Sequence, residues 1–265
     1  MINRFCANEI EKILDCKILD NKVIFFEKID STNLEAKRKA KQGLIVIADK
    51  QDAGRGSHGR VWKSEGHVGI YMTFALTNDI TTDLVFSVPI LVSLCVAKTI
   101  ERTLDVPVKI KWPNDILLNG RKLCGILAEA DFANGKLKSL VVGIGINVNQ
   151  ENFLEEIEGK ATSLRRETGT MIDRNVLAAE VLNEIDRTLV SFFEKKSISN
   201  LINDYNAHLV HYDCNIDIVK GEQRQTVHSK GIDEKGRLIA IDNKGKVINI
   251  AYGEVSVRGN GIYGE

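Results

Sequence analysis

Proline is scarce, with 3 residues in 265, which leaves no material for proline-rich linkers or low-complexity arms. Net charge is absent as well: Lys+Arg 36 and Asp+Glu 36 cancel to +0. That argues against a protein that coats nucleic acid through a bulk positive field, although a local basic patch remains allowed. The 5 cysteines, Cys6, Cys16, Cys95, Cys124 and Cys214, contain no C-x-x-C pair. A disulfide framework or a cysteine zinc site is therefore disfavoured, and a reducing, cytoplasmic location is expected. Residues 1–20 interleave Arg4, Glu9, Glu11 and Lys12 with apolar residues, so no secretory signal is expected. The longest apolar stretch, 84–97, is broken by Ser87, Pro89 and Ser93. It falls short of the ~20 residues that span a bilayer and reads as a buried helix.

What is present belongs to a globular chain: 43% hydrophobic and 27% charged residues. Helical periodicity marks 3–14, and the Val, Ile and Phe of 22–29 predict a strand. Thr32-Asn33-Leu34-Glu35 fits a capping box, predicting a helix to about Gln42 that Gly43 ends. Strands are expected at 44–48 and 68–77, the latter with alternating character, a glycine-rich loop at 51–60, and a long core helix at 83–104. Short strands at 108–112 and 116–118, an Asn119-Gly120 type I′ turn and a return strand at 122–130 predict a hairpin. Asn134-Gly135 predicts a second turn before a strand at 137–148, and helices are expected at 174–195 and 198–209. From about Asp213 short apolar runs alternate with Lys220-Gly221, Lys235-Gly236 and Lys244-Gly245, the punctuation of a small β-barrel. A boundary near His211 divides residues 1–211 from 212–265. The first core strand begins by residue 22, so no additional N-terminal module is expected.

Gly54-Arg55-Gly56-Ser57-His58-Gly59-Arg60-Val61 matches by letter both the dinucleotide fingerprint and the kinase glycine loop. Context excludes both, because a strand rather than a helix follows and no H-R-D or D-F-G lies downstream. The loop still has the makings of an anion site. Its glycines let backbone N–H groups approach a ligand, and Arg55 and Arg60 bring planar donor forks. A basic surface loop with no ligand would share this composition.

Lys111-Trp112-Pro113-Asn114-Asp115 joins two strands, with Pro113 setting the turn. Lys111, Asp115 and Lys122 are charges beside apolar strands; taken singly, each also fits an ordinary surface salt bridge. Gly125 inside an apolar strand suggests close packing against its backbone. Gly143 and Gly145, followed by Asn147, suggest either a ligand space or a bend in a twisted sheet. His208 and His211 lie one helical turn apart without a nearby third ligand, and no metal site is expected there.

In this order the segments resemble the biotin protein ligase family. The matching pieces are Ser31-Thr32-Asn33; Gln51 with Gly54-Arg55-Gly56 and Gly59-Arg60-Val61-Trp62; Lys111-Trp112-Pro113-Asn114-Asp115; Arg121-Lys122-Leu123-Cys124-Gly125-Ile126-Leu127; Gly143-Ile144-Gly145-Ile146-Asn147; Ala161-Thr162-Ser163-Leu164; and Gly253-Glu254-Val255-Ser256-Val257-Arg258. The resemblance implies an α+β fold, with a mixed β-sheet catalytic domain flanked by helices and then a small SH3-like β-barrel. Some members add an N-terminal winged helix-turn-helix and act as repressors. This chain resembles the ligase-only class, for which no DNA partner is expected, and a homodimer is left open.

The implied enzyme is an ATP-dependent biotin–[acetyl-CoA-carboxylase] ligase. It adenylates biotin to biotinyl-5′-AMP, with Mg²⁺ accompanying ATP, then passes biotin to a lysine of a biotin carboxyl carrier domain. The resemblance assigns Lys122 and Arg55 to catalysis. It places Ser31, Thr32, Asn33, Gln51, Gly54, Gly56, Ser57 and Gly125 with them around biotin. Arg60, Trp62, Lys111, Asn114, Asp115, Asn147 and Arg258 fall on the ATP side, with Asp115 the candidate for Mg²⁺. One departure concerns the loop: the family commonly has an arginine where Ser57 stands, and that arginine helps retain the acyl-adenylate. A lipoate-type ligase and a noncatalytic biotin or biotinyl-AMP binding regulator are the competing readings.

Overall fold

Alternation of apolar residues decides the two faces of the main sheet. The computed structural model describes residues 4–78, 81, 85–134, 136–251 and 256–259. Seven strands, β1 (Val23–Ile29), β2 (Ile45–Gln51), β3 (Gly69–Leu76), β4 (Val108–Lys111), β5 (Asp115–Leu118), β6 (Arg121–Ala133) and β7 (Lys136–Asn147), lie in the order β1-β2-β3-β7-β6-β5-β4. β1 and β2 are parallel and all other pairs antiparallel, so the sheet is mixed, as the resemblance implies. Ile70, Met72 and Phe74 of β3, Val142, Ile144 and Ile146 of β7, and Cys124 and Ile126 of β6 enter one large apolar cluster. They meet there the helices α1 (Ala7–Ile13), α3 (Ser87–Leu104) and α5 (Arg174–Lys195). Their sequence neighbours turn to the other face, because successive side chains of a strand alternate. There α2 (Thr32–Lys39) covers Val46, Ala75 and Val141 through Ala36.

Several expectations are corrected. Residues 68–77 read as alternating, but every residue of β3 is buried, because both faces of this central strand are covered. The capping box at Thr32 does not form: Ser31 is the N-cap residue, without a side-chain cap bond. The Thr32 hydroxyl instead bonds Gln51, and Glu35 pairs with Arg38. The helix ends at left-handed Ala40, not at Gly43. β2 runs on through Gln51, which is a strand residue rather than part of the loop. The span 198–209 splits into a 3-10 turn, Ser199–Leu201, and α6 (Ile202–His208). A short α4 (Leu164–Thr168), capped by the Ser163 hydroxyl, has no counterpart among the expected elements. The long helix begins at Ser87; residues 82–84, Gly135 of the second turn, and Gly253, Glu254 and Val255 of the last motif lie outside the described residues. Asn119 and Gly120 both have positive φ, at 51° and 74°, as a type I′ turn requires.

The second sheet contains β8 (Cys214–Lys220), β9 (Gln223–Ile232), β10 (Leu238–Ile241), β11 (Val247–Ile250) and β12 (Ser256–Arg258), antiparallel in the order β11-β10-β9-β8-β12. Among the described residues no pairing joins β11 to β12. Ile216, Val227, Leu238 and Val257 pack into the same cluster as the main sheet. Trp112 Nε1 donates to Gly236 O at 3.0 Å, tying the Trp-Pro turn to this second sheet. No helix among the described residues is long and apolar enough to cross a membrane.

Candidate active site

Strand register lines up one row of residues across the sheet. Lys111 pairs with Asp115, Asp115 with Gly125, Gly125 with Gly145, and Gly145 with Tyr71. Next to it, Leu127 pairs with Gly143 and Gly143 with Thr73. The glycines leave a floor without side chains, and large groups lie on it. A β-carbon at Gly145 would stand 2.6 Å from the Trp62 indole, and one at Gly143 would overlap Asn33 Oδ1. The glycines thus make room for side chains that pack against their backbone.

A cavity of about 50 Å³ lies over this floor, walled by Ser31, Thr32, Asn33 and Gln51 on one side and by Arg55, Gly56 and Ser57 on the other. Its polar wall is held by side-chain hydrogen bonds. Thr32 donates its N–H to Gln51 Oε1 at 2.9 Å, Gln51 Nε2 donates to Ser64 Oγ at 2.8 Å, and Thr73 Oγ1 donates to Asn33 Oδ1 at 2.6 Å. The glycine-rich segment is a paired excursion, with isolated bridges joining Arg55 to Val61 and Gln51 to Ser64. Gly54 is not among the residues lining this cavity; it packs under Trp62 O and Ser64, too close for any β-carbon.

A larger cavity of about 560 Å³ adjoins the first. Arg60, Asn147 and Gln150 line it together with apolar Val61, Phe153 and Ile157. Gly56, Ser57, Trp62 and Lys122 line both cavities. Lys122 Nζ lies 2.6 Å from Asp115 Oδ1 and 5.5 Å from the centre of a Trp62 ring. Trp62, expected on the ATP side, lines both spaces, with its indole N–H buried and without a hydrogen-bond partner among the described residues.

Lys111 and Arg258 line neither cavity but face the same charges. Burial pushes the Lys111 ammonium down to about 8; Asp115 opposes this, while Arg258, Lys122 and Arg60 add to it. Asn114 is nearly buried, and its carbonyl accepts from Ile126 N–H at 3.2 Å, so it braces the turn beside the site. Among the described residues no group of three or more His, Cys, Asp or Glu could hold a metal. His208 pairs with Glu101, and burial drives the His211 imidazole down to about 3.

Four residues escaped the sequence reading: Thr73, Ser64, Gln150 and Glu129. Glu129 accepts from both Asn33 and Arg55. Counting by twos along β6 from Gly125 reaches Leu127 and Glu129, so a signal for it was present. Thr73 and Ser64 meet Asn33 and Gln51, 40 and 13 residues away, and no local pattern marks them; Gln150 bonds Asn147 only three residues back, but nothing in its own surroundings singles it out.

Comparison with known proteins accords with this geometry. Residues 25–147 match the sequence profile of the Biotin/lipoate A/B protein ligase family. The bifunctional ligase/repressor BirA of Bacillus spizizenii is 38% identical over 185 residues, covering 68% of this chain and 57% of that protein. The match therefore spans little more than half the length of that relative. The biotin–[acetyl-CoA-carboxylase] ligase of Mycobacterium tuberculosis is 30% identical over 218 residues, covering 80% of this chain and 78% of that protein. The structure of the biotin protein ligase from Aquifex aeolicus in complex with biotin and ATP matches with a TM-score of 0.80 at 32% identity, over 90% of this chain and 99% of that one. With its fold, its glycine floor and its sequence all in agreement, the chain belongs to the biotin protein ligases of the Biotin/lipoate A/B protein ligase family.

Proposed function

We propose that this chain is an ATP-dependent ligase that joins biotin to AMP and then transfers biotin to a lysine of a biotin carboxyl carrier domain. The observation that carries this reading is the position of Lys122, which lines a small polar cavity and a larger, partly apolar one where they meet. Two substrates that must react with each other need such a junction. Biotin is assigned to the polar cavity, with Ser31, Thr32, Asn33 and Gln51 on its ring. The nucleotide is assigned to the larger one, with Asn147 and Trp62 at its base and Arg60, Lys111 and Arg258 toward its phosphates. Residues 1–211 form the catalytic domain, and 212–265 contribute Arg258. A reducing, cytoplasmic setting belongs to this reading, since the cysteines are widely spread and include no C-x-x-C pair.

In the first step a biotin carboxylate oxygen attacks the α-phosphorus, and the bond to the departing pyrophosphate breaks. Both partners are anions, so the barrier is largely electrostatic, and fixed cationic donors lower it. Lys122 and Arg55 supply those donors. In the second step the carrier lysine amine attacks the acyl carbon, the bond to AMP breaks, and the amine proton is released. Magnesium would enter on the nucleotide phosphates and neutralise part of their charge. Asp115, which lines the small cavity beside Lys122, would be its carboxylate ligand, and one such ligand suffices for an ion that keeps most of its waters. The small cavity, at about 50 Å³, is far below the ~300 Å³ of ordinary ligand pockets, so it must widen as biotin enters.

The test is to weigh a carrier domain after incubation with the protein, Mg-ATP and biotin, and in parallel with lipoate. A single biotin adduct with biotin alone supports the reading. A lipoate adduct in its place, or biotin binding without transfer, would overturn it.

A further inference from the structure

Glu129 lies outside every motif of the sequence and outside both cavity walls, yet groups from α2 and the glycine loop converge on its carboxylate. Oε2 accepts from Asn33 Nδ2 at 2.8 Å. Oε1 accepts from Lys37 Nζ at 2.7 Å and from Arg55 Nη1 at 3.3 Å. Burial pushes this carboxyl up, but the hydrogen bonds from Lys37 and Asn33 and the charges of Lys37 and Arg55 outweigh it and hold it below the usual range. Glu129 is therefore ionised at neutral pH and can only accept.

This has two consequences for the small cavity. An amide beside an acceptor-only group must turn its NH₂ toward that group. Asn33 thus keeps Oδ1 on the opposite side, over Gly143, where Thr73 Oγ1 donates to it. The polarity of one cavity wall is set from behind. The second consequence concerns the loop: Arg55, itself 48% exposed, is drawn across the cavity toward a carboxylate already in place. A substrate carboxylate in the cavity that Arg55 lines would offer it the same chemistry.

We propose that Glu129 is a positioning residue for the acid substrate: through Asn33 it orients the polar wall, and through Arg55 it holds the glycine loop over the cavity until the substrate carboxylate takes that arginine over. This rests on the proposed ligase function. Because Arg55 has passed to the substrate carboxylate before the chemical step, such a residue acts on binding of the acid rather than on the nucleotide or on kcat, which sets it apart from a simple brace between α2 and β6.

The experiment is steady-state kinetics of carrier biotinylation by Glu129→Gln and Glu129→Asp, with thermal unfolding of each. For Glu129→Gln the biotin KM is expected to rise about tenfold, with kcat and the ATP KM within about twofold of wild type. Glu129→Asp, charged but shorter, should recover part of that loss, and it carries the same readout if the glutamine variant does not fold. An unchanged biotin KM overturns the proposal. So does a parallel change in both KM values, kcat and Tm, which is the signature of a brace. A wild-type protein that biotinylates no carrier brings down the ligase reading and this inference with it; an active wild type with an indifferent Glu129→Gln brings down this inference alone.

Discussion

Lys122 and Gly125 face the same cavity although three positions of one strand separate them. In a regular strand residues three apart point to opposite faces. Here the β5–β6 register shifts between Ile116 and Leu117, so that Leu117 opposes Lys122 while Ile116 opposes Cys124. Leu123 is the additional residue of a bulge, and the bulge turns Lys122 onto the glycine side. A β-carbon at Gly125 would lie 3.3 Å from Lys122 Nζ and 3.0 Å from the Trp62 ring. The ammonium is thereby delivered over the floor, in contact with Asp115, at the meeting point of both cavities.

Lys122→Ala should therefore lower the rate of biotin adenylation by ~10²–10³, the usual loss when one preorganised donor to a developing anion is removed. Biotin-dependent pyrophosphate release measures this step apart from transfer. A loss smaller than about tenfold would remove Lys122 from the centre of the chemistry.

Gly143→Ala is expected to weaken biotin binding with little effect on the ATP KM. The new methyl would occupy the place of Asn33 Oδ1 and force that amide off the cavity wall. Gly145→Ala would collide with the Trp62 indole instead and so disturb both substrates. Calorimetric titration of each variant with biotin and with ATP distinguishes the two patterns.

Lys111 ties nucleotide binding to pH. Its ammonium is lost near pH 8 in the folded protein, against 10.5 for an ordinary lysine. ATP affinity should fall as pH rises through about 8, and Lys111→Met should remove that limb of the profile. Stability moves the other way. Between pH 8 and 10.5 the unfolded chain holds this proton and the folded chain does not, so the contribution of Lys111 to stability rises with pH across that window. Denaturant midpoints at several pH values, for wild type and Lys111→Met, test the sign.

Ser57→Arg should lengthen the life of the bound acyl-adenylate. In the present loop Ser57 accepts from Arg60, through its carbonyl at 3.3 Å and its hydroxyl at 3.5 Å. An arginine at position 57 would add a permanent donor fork that serine lacks. Retention of labelled adenylate through gel filtration gives the lifetime, and an unchanged value would deny this position a role in holding the intermediate.

Asp49→Ala is expected to destabilise the fold by about 3–5 kcal/mol, because it strands a buried charge. Arg174 is fully buried, 2.9 Å from Asp49 Oδ1 and 3.0 Å from Gly69 O, with Phe5 stacked on its guanidinium at 4.3 Å. Equilibrium unfolding in urea measures the loss; a change below about 1 kcal/mol would mean that water or a shifted partner solvates the arginine.

Much of the architecture was legible in the sequence because its causes are local. Alternation along 137–148 sorts Val142, Ile144 and Ile146 from Gly143, Gly145 and Asn147 without knowledge of any partner strand. The paired positive φ of Asn119 and Gly120 follows from turn chemistry alone, and the bounds of α5 follow from its apolar period and from Asp173, whose side chain accepts from the N–H groups of Asn175 and Val176. Lys122 and Gly125 could be singled out in the same way, since a charge beside an apolar strand or a glycine within one is conspicuous by itself, while Arg55 stood out through its glycine-rich loop and Asn147 through the two glycines before it.

What needed the tertiary structure depends on register and on convergence. A capping box at Thr32 was locally reasonable, and it lost to hydrogen bonds with Gln51 and Thr73, which lie 19 and 41 residues away. Period-two counting would set Lys122 opposite Gly125; only the pairing of β5 with β6 reveals the bulge that unites them. Trp62 on the glycine floor, Arg258 of the second sheet beside Lys111, and Glu129 beneath Asn33 and Arg55 bring together groups far apart in the chain. Composition and periodicity determine which face of each element is buried. The identity of the neighbour across that face is decided by the packing of the whole sheet, and the chemistry of this site resides in those neighbours.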